Sequence, residues 1–107
     1  ILDNNTGIAD FDICRVFINL LDNSINALKN YTGDDKLLYL SCKQDNDHIF
    51  IKCENKFSET IRKPEKKPEL HGYGMKIVKD ITEKYNGELI TQIQDTTFST
   101  LAILKTE

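Results

Sequence analysis

The sequence predicts a two-layer α/β sandwich of the α+β class, with helices on one face of a mixed, largely antiparallel sheet. Three observations predict it. An early stretch has apolar residues at helical spacing, two pairs of alternating β-rich runs are each joined by a short polar turn, and a second helical stretch separates the pairs. In the order helix, two strands, long loop, helix, two strands, both helices can bury their apolar stripes against one sheet.

The first helix is expected over about residues 11–30. The turn-rich Asn4-Asn5-Thr6-Gly7 precedes it, and Asp10 or Asp12 is placed to cap it by accepting backbone N–H bonds. From Ile13, the residues Phe17, Leu20, Leu21, Ser24 and Leu28 recur along one stripe, and Tyr31-Thr32-Gly33-Asp34-Asp35 ends the helix. Leu37–Lys43 and Ile49–Asn55 read as an antiparallel hairpin around Gln44-Asp45-Asn46-Asp47. In its second strand Ile49, Ile51, Cys53 and Asn55 share one face, so Asn55 ends an apolar row with its amide toward the core.

Lys56 to His71 holds Pro64, Pro68 and many charges without apolar periodicity, a loop of a length that usually carries function. A second helix is expected over about Gly74 to Asn86, with Ile77, Val78, Ile81 and Tyr85 inward and Gly87 ending it in a left-handed conformation. Strands Glu88–Gln94 and Thr97–Lys105 close the chain around Asp95-Thr96.

A length of 107 residues suits one domain, and 39% hydrophobic with 29% charged residues is an ordinary globular balance. No apolar run approaches the ~20 residues of a membrane span, and the start at Ile1, without a signal pattern, suggests a segment of a longer chain with room for a membrane region upstream. Lys and Arg number 14 against 17 Asp and Glu, a net charge of −3 that argues against a general nucleic-acid binder. Cys14, Cys42 and Cys53 form neither a disulfide framework nor a zinc spacing; they read as small buried hydrophobes in a reducing cytosol.

Two constellations can carry chemistry. Asn19, Asn23 and Asn26 fall within roughly a 60° arc of the first helix at 100° per residue. Asparagine is a middling helix former, so propensity does not explain three in two turns. A solvated polar face explains them equally well, while amide oxygens also suit a magnesium ion that bridges phosphates. The second constellation is His71-Gly72-Tyr73-Gly74-Met75, after a long loop and at the expected helix start. Glycines there allow close backbone approach to an anion, and unpaired N–H groups at a helix start attract phosphate. Alone, a GxG is equally a flexible helix entry. There is no GxxxxGK[ST] P-loop, and the GxG does not follow a strand as a dinucleotide fingerprint does.

Read together, Phe17-Ile18-Asn19-Leu20-Leu21-Asp22-Asn23-Ser24-Ile25-Asn26-Ala27-Leu28 and His71-Gly72-Tyr73-Gly74-Met75-Lys76-Ile77-Val78 resemble the N box and second glycine box of the GHKL ATPase superfamily. The likeness is greatest to sensor histidine kinases of the peptide-responsive, quorum-sensing type of Gram-positive bacteria, and it covers nearly the whole chain. It implies a Bergerat-type ATP-binding fold over residues 1–107, a lid over about 56–71 and the glycine box at 72–74. It also implies ATP and Mg2+ as cofactors, with Asn23 as metal ligand, Asn19 beside metal and phosphates, and Asn26 where many relatives place a phosphate-contacting Lys. The first glycine box of the family, DxGxG, is here Glu54-Asn55-Lys56-Phe57-Ser58, without either glycine. The resemblance makes Asn55 the adenine-recognising residue, with a weaker contact than a carboxylate gives. It places His71, Gly72, Tyr73, Gly74, Met75 and Thr97 along the nucleotide, and Arg62, Lys63, Lys66 and Lys67 in the lid.

Relatives that hydrolyse ATP carry a glutamate base where this sequence has Asn19, which cannot act as a base near neutral pH. Phosphoryl transfer to a histidine needs mainly positioning and charge neutralisation, so no residue of this chain is expected to act as a catalytic base or nucleophile. The resemblance implies an acceptor histidine on a separate dimerisation domain, absent here, and a downstream response regulator as a further partner. This domain is expected to lie in the cytoplasm without touching the membrane that anchors the parent. Two other functions fit the same motifs: a serine kinase of the anti-sigma type, and a degenerate GHKL domain acting as an interaction module.

Overall fold

The computed structural model describes residues 7–29, 31–57 and 68–106, with 68–73 as helical backbone only. The elements are α1 (Asp10–Lys29), β1 (Leu38–Asp45), β2 (His48–Lys56), α2 (Pro68–Lys84), β3 (Glu88–Gln94) and β4 (Thr97–Lys105). The strands form one sheet in the order β1-β2-β4-β3, antiparallel at every described pairing, which narrows the expected mixed sheet. The two hairpins join along β2 and β4, where Asn55 stands opposite Phe98 and Lys56 opposite Thr97.

Both helices lie on one face of this sheet, as the periodicity predicts. The core combines Ile8, Ile13, Val16 and Leu20 with Ile49, Ile51 and Cys53 of β2, Val78 and Ile81 of α2, and Ala102 and Leu104 of β4. Each large aliphatic side chain buried there contributes about 1.5–3 kcal/mol. β2 alternates strictly between buried and half-exposed residues, and Asn55 ends the buried row as expected. β1 is an edge strand that α1 barely covers, so Leu40 and Cys42 stay exposed although they pair with the buried Cys53 and Ile51. Cys14 is also exposed, on the outer flank of α1, so only Cys53 fits the expectation of buried cysteines. Burial pushes the Cys53 thiol pKa up, which keeps it protonated and inert.

The two hairpins turn through residue pairs 46–47 and 95–96, with Asn46 and Asp95 at φ 53 and φ 57. Asn and Asp accept this left-handed region more readily than other side chains. The end of α2 differs from expectation. Asn86, not Gly87, takes the left-handed conformation, at φ 57. Gly87 N–H donates to the Thr82 carbonyl at 2.7 Å and Asn86 N–H to the Glu83 carbonyl at 3.1 Å, the paired bonds of a Schellman end. Glycine is required at 87 for space: a Cβ there would stand 1.7 Å from the Ile103 carbonyl oxygen of β4.

Asp12 does not cap α1. Its side chain is buried, and Oδ2 accepts from the Tyr85 hydroxyl at 2.5 Å and from Lys84 Nζ at 2.9 Å. The first turn is closed instead by the Ala9 carbonyl, which accepts from Asp12 and Ile13 N–H, while Ala9 N–H donates to the Tyr85 hydroxyl oxygen. These bonds tie the beginning of α1 to the end of α2. The Tyr85 hydrogen bond, then Lys84, holds the Asp12 carboxyl below its ordinary range.

Three stability effects follow. Gly87→Ala is expected to destabilise by roughly 1–3 kcal/mol through overpacking against β4, while Asn86→Gly stabilises by up to about 1 kcal/mol by relieving the left-handed strain; urea unfolding of each variant measures both. Because the folded Asp12 pKa lies below the unfolded value of about 3.9, its contribution is full above that value and is lost as pH falls through the folded one. Asp12→Asn should therefore cost roughly 1–3 kcal/mol near neutral pH, with the gap to wild type closing in strongly acidic buffer.

Candidate functional site

Asn19, Asn23 and Asn26 follow one another along α1, and Asn19 faces α2. Asn19 and Asn23 are half-buried, whereas Asn26 is exposed. Asn19 Nδ2 donates to the Arg15 carbonyl, one turn earlier, at 2.7 Å. A backbone carbonyl only accepts, so the amide nitrogen belongs there and Oδ1 is the other end. That oxygen is turned to α2, where a Cβ added to Gly74 would lie 3.0 Å from it. The two motifs singled out in the sequence thus touch at Asn19 and Gly74. One turn beyond Asn19, the Asn23 carboxamide has no hydrogen-bond partner among the described residues. Asn19 Oδ1 is a neutral oxygen of the kind magnesium accepts beside phosphate, and Asn23 carries a second amide one turn along. Among the described residues no group of three His, Cys, Asp or Glu is arranged to hold a metal.

On the sheet side, Asn55 ends β2 beneath α1 with no exposed surface. Ser24 Oγ donates to Asn55 Oδ1 at 2.9 Å and lies 2.9 Å from Cys53 Sγ. Asn55 Nδ2 donates to the Lys56 carbonyl at 3.0 Å. Sequence reasoning placed Ser24 in the apolar stripe and assigned it no role. The signal was a hydroxyl where the pattern called for a hydrocarbon, since a buried hydroxyl needs a partner.

Thr97 begins β4 at the same end of the sheet, half-buried between Lys56 and Gln94. Phe57 continues from β2 there: its N–H donates to the Thr96 carbonyl at 2.9 Å, and its ring meets Phe98 edge-on at 6.5 Å. Lys56 reaches Asp35 at 3.5 Å, and Asp35 also accepts from the Tyr31 hydroxyl. These contacts hold the segment after α1 against the end of β2. The Tyr31 bond holds the Asp35 carboxyl below its ordinary range.

The glycine box differs from expectation in one respect. α2 begins at Pro68, so Gly72 and Gly74 lie inside the helix and not at its start. Proline suits a first helical position because its missing N–H has no partner there. Met75 is half-buried and packs against the core. The side chains of His71 and Tyr73, and lid residues Arg62, Lys63, Lys66 and Lys67, lie outside the described residues.

Among curated proteins no sequence matches this chain. Solved structures share its fold. The nucleotide-free catalytic domain of histidine kinase ThkA superimposes with a TM-score of 0.70 at 18% identity, over 92% of this chain and 70% of that one. A second crystal form of that domain gives 0.68 at 18% identity, over 92% and 68%. The Acinetobacter baumannii histidine kinase AdeS gives 0.65 at 19% identity, over 91% of this chain and 47% of that one. The sequence model of the GHKL domain matches residues 8–104, from the entry to α1 to the last buried residue of β4, and the chain belongs to that family.

Proposed function

We propose that this chain is the ATP-binding catalytic domain of a two-component sensor histidine kinase, which passes the γ-phosphate of ATP to a histidine on a separate dimerisation domain. The observation that carries this reading is the contact of Asn19 with Gly74, which joins the amide edge of α1 to the glycine box of α2. Asn23, whose carboxamide has no partner among the described residues, would hold Mg2+, and Asn19 Oδ1 would lie beside it. Bound there, Mg2+ neutralises charge on the β- and γ-phosphates. Asn26 and Thr97 would flank the phosphates, and Asn55 would lie under the base.

Backbone N–H groups of residues 72–74 meet phosphate only if the first turns of α2 open. Gly72 and Gly74 each cost the helix about 1 kcal/mol relative to alanine, so that opening is inexpensive. His71, Tyr73 and Met75 would then border the nucleotide.

Asn19 supports transfer to protein over hydrolysis, because a neutral amide on this edge cannot take a proton from water. The expected partner domain is helical, and the outer face of α1 suits it. Phe11, Ile18 and Ile25 are 71%, 57% and 42% exposed at seven-residue spacing, the repeat on which a second helix packs. No helix among the described residues is long and apolar enough to cross a membrane. We read the parent as a membrane-anchored, peptide-sensing kinase that holds this domain in the cytoplasm and feeds a response regulator; Asn55 in place of the usual aspartate motivates the peptide-sensing subtype.

Calorimetry with ATP and magnesium tests the nucleotide role. Wild type should bind, and Asn23→Ala should weaken Mg-ATP by about tenfold or more, as loss of a contact to a charged group does, with little change when magnesium is chelated. No binding at millimolar nucleotide would favour the interaction module. With radiolabelled ATP the isolated domain should not label itself: His48 is paired with Asp47 at 2.9 Å, at the opposite end of β2 from Asn55. Label on histidine of a supplied dimerisation domain supports the kinase, and label on serine of a protein substrate supports the anti-sigma type.

A further inference from the structure

The outer side of α1 carries a second apolar stripe, which the core does not use. Phe11, Cys14, Ile18, Leu21, Ile25 and Leu28 follow one another at alternating spacings of three and four residues, the a and d positions of a heptad repeat. Phe11, Cys14, Ile18 and Ile25 are exposed, and Leu21 and Leu28 are half-buried on the flank away from Asn19 and α2. Exposure decreases from Phe11 through Ile18 to Ile25, as it must when a straight α-helix drifts roughly 20° per heptad against the repeat. A helix that crosses α1 at about 20° follows this drift. Leu40 of the edge strand β1 is exposed on the same face of the sheet as α1, so the apolar surface continues beyond the helix. Contiguous apolar surface of this kind marks an interaction site.

The stripe is complementary to itself. With two copies antiparallel, Phe11 meets Leu28 of the second copy, Cys14 meets Ile25, and Ile18 meets Leu21, each contact made twice about a twofold axis. Every layer then sets a larger side chain against one that leaves room for it, whereas a parallel pair stacks Phe11 on Phe11 and Cys14 on Cys14, a crowded layer beside a hollow one. Charge favours the same arrangement. Arg15 leans over the Phe11 ring at 5.5 Å, at the border of the stripe, and the exposed Asp22 has no partner among the described residues. Both are e positions, which face each other across an antiparallel pair; a parallel pair gives Arg15 to Asp10 but leaves Asp22 beside Phe17. We propose that α1 is a self-association surface on which two copies of this chain pair antiparallel through this stripe, with Arg15 of each copy facing Asp22 of the other. The helical partner of the kinase reading above suits the same stripe, so self-pairing and partner docking exclude one another.

Sedimentation equilibrium of the wild-type chain in reducing buffer, without nucleotide, is expected to show monomer and dimer in exchange at concentrations below millimolar. Ile18→Glu, shown to be folded by its circular dichroism, is expected to weaken the dimer by about a hundredfold or more, because two apolar contacts are lost per pair. Asp22→Arg should also weaken it, and Arg15→Asp added to Asp22→Arg should restore it. A wild-type chain that stays monomeric at millimolar concentration, or a dimer that Ile18→Glu leaves intact, overturns the inference. Crosslinking reads the direction of the pair. In an antiparallel pair the two copies of Cys14 stand about 16 Å apart along the axis at 1.5 Å per residue, beyond the roughly 7 Å between Cα atoms that a disulfide spans. Under a mild oxidant, Ile25→Cys combined with Cys42→Ser should therefore bridge Cys14 to position 25 of the second copy, and a bridge between the two copies of Cys14 overturns the antiparallel arrangement. Calorimetry with ATP and magnesium reports the nucleotide role separately, so each reading can fail without the other.

Discussion

Asp12 turns a carboxylate with little exposed surface into the seam between α1 and α2, where it would lose hydration without gaining partners if it stood alone. Tyr85 and Lys84 satisfy it from the last turn of α2, and this junction decides how the two helices share the sheet. Tyr85 also accepts from Ala9 N–H through its hydroxyl, and its carbonyl accepts from Lys105 N–H. One residue therefore meets the entry to α1, the end of α2 and the end of β4. With α2 held at that end, its earlier turns run along the amide edge of α1, and Gly74 comes to rest against Asn19.

A second buried polar contact does the corresponding work further along α1. Between Asp12 and Ser24 the buried stripe is apolar, Ile13, Val16 and Leu20, and apolar burial is non-directional. Such a stripe tolerates sliding along the sheet. The bonds of Asp12 to α2 and of Ser24 to Asn55 on β2 do not, because a shift by one turn would leave buried groups unsatisfied. The register that places Asn19 against Gly74 is thus set by two polar contacts at the ends of an apolar contact.

Patterns with a strong period were legible in the sequence. The alternation of β2 placed Asn55 inward, and helical spacing placed Ile13 and Leu20 in the core, although Val16, buried between them, went unnamed. What the sequence concealed depended on contacts between distant segments. Gly87 looked like a left-handed helix end, but the space it must leave belongs to Ile103, which no local pattern reveals. Asp12 looked like a cap because a first-turn carboxylate usually is one, and the competing partners lay on α2. Cys42 alternated correctly yet stayed exposed, since alternation gives a face and not what covers it. At the site, the asparagines and glycines were visible as motifs, while Ser24 was hidden by its place in an apolar stripe. The start of α2 was misjudged because Pro68 was read only as a loop residue.

The two amides of the candidate site are oriented by the same device, a backbone carbonyl that takes the amide nitrogen. Asparagine has no charge to commit it, and either end of its carboxamide can face a ligand. In Asn19 the nitrogen is claimed by the Arg15 carbonyl, which leaves oxygen toward α2. In Asn55 the nitrogen likewise donates to the Lys56 carbonyl, and the oxygen accepts from Ser24. Backbone carbonyls decide both cases, and they are supplied by the helix and the strand themselves. A carboxylate could not replace either amide without setting an oxygen against a carbonyl about 3 Å away, a repulsion that an amide avoids. The surroundings at both positions therefore favour asparagine over aspartate.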